Sequence, residues 1–149
     1  MNSSQNIREA TPGDSAEIAR LCVELGYPVS PAEIESRIKS IQRAGNRLIA
    51  LVVGPESTLL GWVAAEHRLL LESGERVEIV GLVVDSSARR KGVGKTLVAA
   101  AEDWASSRGI STVSVRSNVA RNTSHQFYEG IGYERTKTQH AYTKKLCAD

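Results

Sequence analysis

Apolar positions recur along the chain at two different spacings, and the changes between them mark its elements. Ile7–Ala10 reads as a short first strand. Thr11-Pro12-Gly13-Asp14 then opens a helix, with proline near its first turn. Ile18, Leu21, Cys22 and Leu25 follow on one helical face, and Gly26 closes it. Ser30-Pro31-Ala32-Glu33 has the form of a capping box with proline at the first helical position. Ile34, Ile38 and Ile41 line the helix that follows. The spacing then shortens. Leu48–Val53, Leu59–Ala65 with an extension through Leu71, and Val77–Val84 read as three strands, separated by Gly54-Pro55 and Ser73-Gly74. Short turns make this an antiparallel meander, and the apolar run from Ile79 predicts burial on both faces.

A glycine-rich basic turn, Ser86–Gly94, leads into a strong helix lined by Val93, Leu97, Val98, Ala101, Trp104 and Ala105. Gly109 ends that helix, and Thr112–Arg116 alternates as a strand. Strand, helix, strand is the unit of a parallel pair with a right-handed crossover. A short helix over Asn122–Glu129 and closing strands at Tyr133–Lys137 and Tyr142–Leu146 complete one mixed α/β domain spanning 1–149.

Composition changes this picture little. The chain has 149 residues, 41% of them hydrophobic, and a net charge of +2. That charge gives no bulk electrostatic case for nucleic acid or membrane as partner. Cys22 and Cys147 form no Cys-x-x-Cys pair and read as reduced thiols of a cytoplasmic protein, with Cys22 in the core. Met1–Glu9 has no secretory character, and no run is long enough to cross a membrane. His67, His125 and His140 lack metal-ligand spacing, so no metal is expected.

The chemistry concentrates in Val83–Thr96. Glycines let a ligand approach the backbone, and the first amides of a helix point outward unpaired. Together they form an anion nest, ringed here by Arg89, Arg90, Lys91 and Lys95. Two phosphate motifs fail: the P-loop requires glycine at Arg89, and the dinucleotide fingerprint requires it at Leu97. What remains is Arg-x-x-Gly-x-Gly at Arg89, Gly92 and Gly94, which fits equally an ordinary strand-to-helix turn with a solvated basic rim.

A second segment separates these readings. Arg121, Ser124, Phe127, Tyr128, Glu129, Gly132 and Tyr133 follow the order Arg-x-x-small-x-x-Phe-Tyr-Glu-x-x-Gly-Tyr. The two segments, in this order, resemble the GNAT acetyltransferase superfamily over nearly the whole chain. Ser124 stands where alanine is common.

The resemblance implies an α/β (mixed α+β) fold. Its central sheet is mixed and mostly antiparallel, flanked by about four helices, and splays open between the strand ending at Val84 and the one ending near Ser117. It implies acetyl-CoA as co-substrate, with the pyrophosphate on the amides of Gly92, Val93, Gly94 and Lys95. Arg89, Arg90 and Asn122 are the further cofactor contacts, and the pantetheine arm runs beside Leu82, Val83 and Val84. Gly81 marks either a bulge that opens the sheet or close packing against a bulky neighbour. The implied reaction is direct acetyl transfer to a small-molecule or peptide amine. The Val84 amide serves as oxyanion donor, Tyr128 as proton donor to the leaving thiolate, and Glu78 as base or water relay. The alternatives are a core tyrosine at Tyr128, an exposed strand carboxylate at Glu78, and a non-catalytic acyl-CoA sensor in place of an enzyme. The wording from Arg121 to Tyr133 is similar to small-molecule members such as aminoglycoside acetyltransferases. Gly26–Ser30 and Thr138–Ala141 are the expected acceptor loops, and pairing through Tyr133–Leu146 would give a homodimer.

Overall fold

The computed structural model describes residues 6–89, 91–116 and 122–147. They fall into two compact units, Met1–Arg116 and Ser117–Asp149.

The first unit is built on a five-stranded sheet in the order β1-β2-β3-β4-β5. Strands β2 (Leu48–Val53), β3 (Gly61–Leu70) and β4 (Gly74–Val84) form the expected meander, with β1 (Ile7–Glu9) antiparallel on β2. The last strand, β5 (Val113–Val115), runs parallel to β4. β4 begins three residues before the expected Val77, because the polar Gly74, Glu75 and Arg76 pair with Leu70, Leu69 and Arg68 across a tight hairpin. Leu59, expected to begin β3, is fully buried but lies outside the ladder.

Helices α1 (Ser15–Glu24) and α2 (Pro31–Arg43) pack on one face of this sheet. The expected capping box forms: Ser30 Oγ accepts from the Glu33 amide, and the Glu33 carboxylate accepts from the Ser30 amide. Ile18, Leu21, Cys22, Ile34 and Ile38 close a core over Val52, Leu59 and Val83, with Trp62 against its rim. Helix α3 (Val93–Ser107) covers the opposite face through Val93, Leu97, Val98, Ala101 and Ala105. A side chain at Gly61 would meet the Val83 carbonyl at 2.7 Å and Leu97 Cδ1 at 3.0 Å, so glycine there lets α3 close on the sheet.

One irregularity decides which residues face which helix. Ala64 pairs with Gly81 but Ala65 pairs with Ile79, so Val80 is an extra residue on β4. Strand side chains alternate with period two, so an extra residue reverses the alternation beyond it. Val83 therefore joins the α1–α2 core, whereas Val77 and Ile79 are buried on the other face beside Ala65. Below the bulge, the α1–α2 face of the sheet carries Glu66, Arg68, Arg76, Glu78, Ser114 and Arg116 in place of apolar residues.

The second unit contains α4 (Asn122–Gly130). Its end is fixed by the amides of Ile131 and Tyr133, which both donate to the Tyr128 carbonyl. The strands expected at Tyr133–Lys137 and Tyr142–Leu146 are not formed; residues 133–145 are irregular. A strand exists through a hydrogen-bonded neighbour, and no ladder among the described residues includes this stretch. Tyr142 and Leu146 are 91% and 88% exposed.

Candidate active site

The glycine turn is held at its root by charge. Asp85 follows β4, is buried, and accepts from the Ser87 amide (2.9 Å), the Ser87 hydroxyl (3.0 Å) and an Arg20 guanidinium nitrogen (3.1 Å). Those donors, the Ser87 amide foremost, hold the Asp85 carboxyl below the usual carboxylate range despite its burial. Arg20 also binds Glu17, Glu24 and the Leu59 carbonyl, which ties α1 to the turn. Ala88, within a single 3-10 turn at Ser86–Ala88, is buried beneath the loop.

Gly92 then adopts φ +79°, a left-handed conformation that side chains with a Cβ disfavour, and caps α3. Its carbonyl accepts both the amide and the hydroxyl of Thr96. The amides of Val93, Gly94 and Lys95 precede the first helical bond, so they are left for another acceptor. The first turn contains no acidic residue to neutralise the positive end of the helix dipole. Arg89, Lys91 and Lys95 are exposed around it. The sequence-predicted turn residues therefore come together; Arg90 lies outside the described residues, as do 117–121 and the side chain of Asn122.

Among the described residues, β5 pairs with β4 only at Val77, Glu78 and Ile79, and Val80–Val84 continue without a partner strand on that side toward the glycine turn. Leu82, Val83 and Val84 lie on this stretch. Gly81 adjoins the bulge at Val80, and a Cβ on it would sit 2.7 Å from Trp62 Cζ3, the close packing against a bulky neighbour.

Glu78 is not an exposed strand carboxylate. It is 7% exposed, and its Oε1 accepts from Arg68 at 2.7 Å. Its Oε2 lies 3.7 Å from Arg116 Nε, beyond hydrogen-bond distance. Sequence reasoning singled out neither Arg68 nor Arg76. The signal was available in the Ser73-Gly74 turn, which sets Arg68 opposite Arg76 and Glu66 opposite Glu78. Arg20 could not be found this way, because its partner Asp85 is 65 residues away.

In the second unit, the Tyr128 ring meets Phe127 edge-on at 5.1 Å and Tyr133 at 6.0 Å. Burial pushes its phenol above the ordinary value, so it is protonated at neutral pH.

A helix start ringed by cations, reached by an unpaired strand edge, suits a ligand with a phosphate at one end and an amide-bearing arm. The sequence pattern of the acetyltransferase (GNAT) family matches residues 16–133. An uncharacterized N-acetyltransferase of Bacillus subtilis, YhdJ, is 39% identical over 59% of the chain, and the match spans 61% of that relative's length. Aminoglycoside N(6')-acetyltransferase type 1 of Klebsiella aerogenes is 28% identical over 98% of the chain and 100% of its own length. Among solved structures, a transcriptional regulator from Bacillus halodurans C-125 superposes with a TM-score of 0.84 at 25% identity, over 94% of this chain and 99% of that one. AAC(6')-Iy in complex with the bisubstrate analogue CoA-S-monomethyl-acetylneamine shares the fold, with a TM-score of 0.82 at 20% identity over 95% of this chain and 99% of that one. With its family pattern matched from 16 to 133 and its fold shared over 94% of its length, the chain belongs to the acetyltransferase (GNAT) family.

Proposed function

We propose that the protein transfers an acetyl group from acetyl-CoA to an amine, directly and in a ternary complex. The observation that carries this reading is the edge of β4 from Val80 to Val84, unpaired among the described residues, which leads into the α3 N-terminus at Gly92. The pyrophosphate rests on the amides of Val93, Gly94 and Lys95, with Arg89 and Arg90 adding charge. The pantetheine arm lies along Leu82, Val83 and Val84 as an added strand, bonding through its amides. Five extended residues span about 16 Å, similar to the length of that arm. The thioester therefore comes opposite the bulge at Val80, where β5 closes the edge. The oxyanion donor is then a backbone amide near the bulge rather than that of Val84.

The amine nitrogen attacks the thioester carbon, the C–N bond forms and the C–S bond breaks. The proton leaving nitrogen passes to water or through water to Glu78 Oε2. The departing sulfur takes a proton or hydrogen bond from Tyr128, whose raised phenol is protonated across the neutral range.

Free-thiol release from acetyl-CoA with a broad amine panel tests the reading. Cofactor binding with no release from any amine would favour a non-catalytic sensor. Tyr128→Phe keeps the ring and removes one hydroxyl. The transfer step, measured before the steady state, is expected to slow by about 10²–10⁴-fold, with acetyl-CoA affinity little changed. An unchanged step in a folded, cofactor-binding variant would assign the proton to water.

A further inference from the structure

The charged row below the bulge bears on which amine the site accepts. With the thioester opposite Val80, the α3 side of β4 is filled by the buried Val77 and Ile79. The amine must then approach from the other face, where β3, β4 and β5 carry Glu66, Arg68, Arg76, Glu78, Ser114 and Arg116 side by side. Three guanidinium groups there face two carboxylates. Arg68 is committed to Glu78 at 2.7 Å, whereas Arg116 is 71% exposed and stands 3.7 Å from the same carboxylate.

Two polar atoms flanking Glu78 are buried without a hydrogen-bond partner among the described residues: Arg76 Nε and Ser114 Oγ. A guanidinium nitrogen donates and never accepts. A buried donor is stabilised only when an oxygen reaches it. An oxyanion meets both requirements and balances the surplus cation, because guanidinium groups bind carboxylate and phosphate through paired, charge-assisted hydrogen bonds.

We propose that the acceptor is an amine bearing an oxyanion, a carboxylate or a phosphate, within a few bonds of its nitrogen. The oxyanion lies against Arg76, Arg116 and Ser114, and the nitrogen faces Glu78 and the thioester. This inference rests on the acetyl-transfer reading. It separates the chain from the polycationic aminoglycosides that its relatives' names mention.

The test uses the full chain, acetyl-CoA and matched pairs of amines: β-alanine against β-alaninamide, phosphoethanolamine against ethanolamine, and kanamycin as a polycation. The expected result is a kcat/KM at least tenfold higher for the charged member of one pair, and which pair responds distinguishes carboxylate from phosphate. Arg76→Gln should raise KM for that member about tenfold more than it raises KM for the neutral partner, with acetyl-CoA still bound. Arg116→Gln, at an exposed position, is the second variant should Arg76→Gln fail to fold. Equal use of neutral and charged members, or preference for kanamycin, overturns the inference and leaves the transfer reading standing. Acetyl-CoA binding with no thiol release from any member removes both.

Discussion

Replacing Gly81 with alanine places a methyl carbon where the indole of Trp62 now lies. The new carbon would sit 2.7 Å from Cζ3 and 2.8 Å from Cη2, against a preferred carbon separation of about 3.5–4.0 Å. About 1 Å must be found. The glycine backbone cannot supply it cheaply, because Gly81 is paired with Ala64 beside the bulge. Trp62 must tilt instead, and its other side packs on the α1–α2 core that contains Cys22 and Val83. Forcing a side chain off its rotamer in a packed site costs about 1–3 kcal/mol. Alanine recovers about 0.4–1 kcal/mol by restricting the unfolded chain. The net loss is about 1–2 kcal/mol, a fall in Tm of about 3–6 °C for a unit of this size. Thermal unfolding of wild type, Gly81→Ala, Trp62→Leu and the double variant gives the coupling directly. The expected result is that Trp62→Leu abolishes the cost of the alanine. A Gly81→Ala protein at least as stable as wild type, with Trp62 present, would refute the close packing and with it this account of why the bulge carries glycine.

Gly92→Val should weaken acetyl-CoA binding at least tenfold in equilibrium titration. No atom lies within 4 Å of the added Cβ, so the loss comes from the left-handed backbone at φ +79° and from the space a phosphate needs; unchanged affinity would place the cofactor elsewhere. Asp85→Ala frees Ser87 and Arg20 at the root of the turn, and acetyl-CoA Kd should rise about 3–10-fold with the fold intact by circular dichroism. Asp14 is fully buried; burial alone would raise its pKa, but paired bonds from Arg8 at 2.8 and 2.9 Å and the Thr11 amide hold it below the carboxylate range. A lowered folded pKa adds stability that is complete above about pH 4 and lost as pH falls through the folded value. Asp14→Ala should therefore cost about 2–4 kcal/mol at pH 7 and progressively less as pH falls below about 4, and a loss that does not change with falling pH would deny the ion pair that role.

Local signals in the chain carried the meander, the four helices and the glycine turn. Proline, serine and glycine at Ser30-Pro31, Ser73-Gly74 and Gly92 act on their own backbone, and apolar spacing of 3.6 or 2 is set within one element. The Arg89–Gly94 and Phe127–Tyr128 motifs were legible for the same reason: each is a short run of neighbouring residues on one turn or helix. The closing segment shows the limit. Tyr133–Lys137 has strand-like residues, but a strand is made by a neighbour, and sequence does not say whether an edge is there to pair with. Gly81 is a second case, since its sequence reads as glycine in an apolar run, and only the register of Ala64 and Ala65 reveals both the bulge and Trp62 behind it. For Glu78 the sequence leaves an exposed carboxylate open beside a base, whereas the fold buries it next to Arg68, ten residues away, and near Arg116, thirty-eight away. Pairing across strands brings such charges together, and the orientation of each depends on whether Val80 counts as one residue of the ladder or as an extra one. The tertiary structure alone decided that, because a one-residue slip exchanges every side chain between the two faces of the sheet.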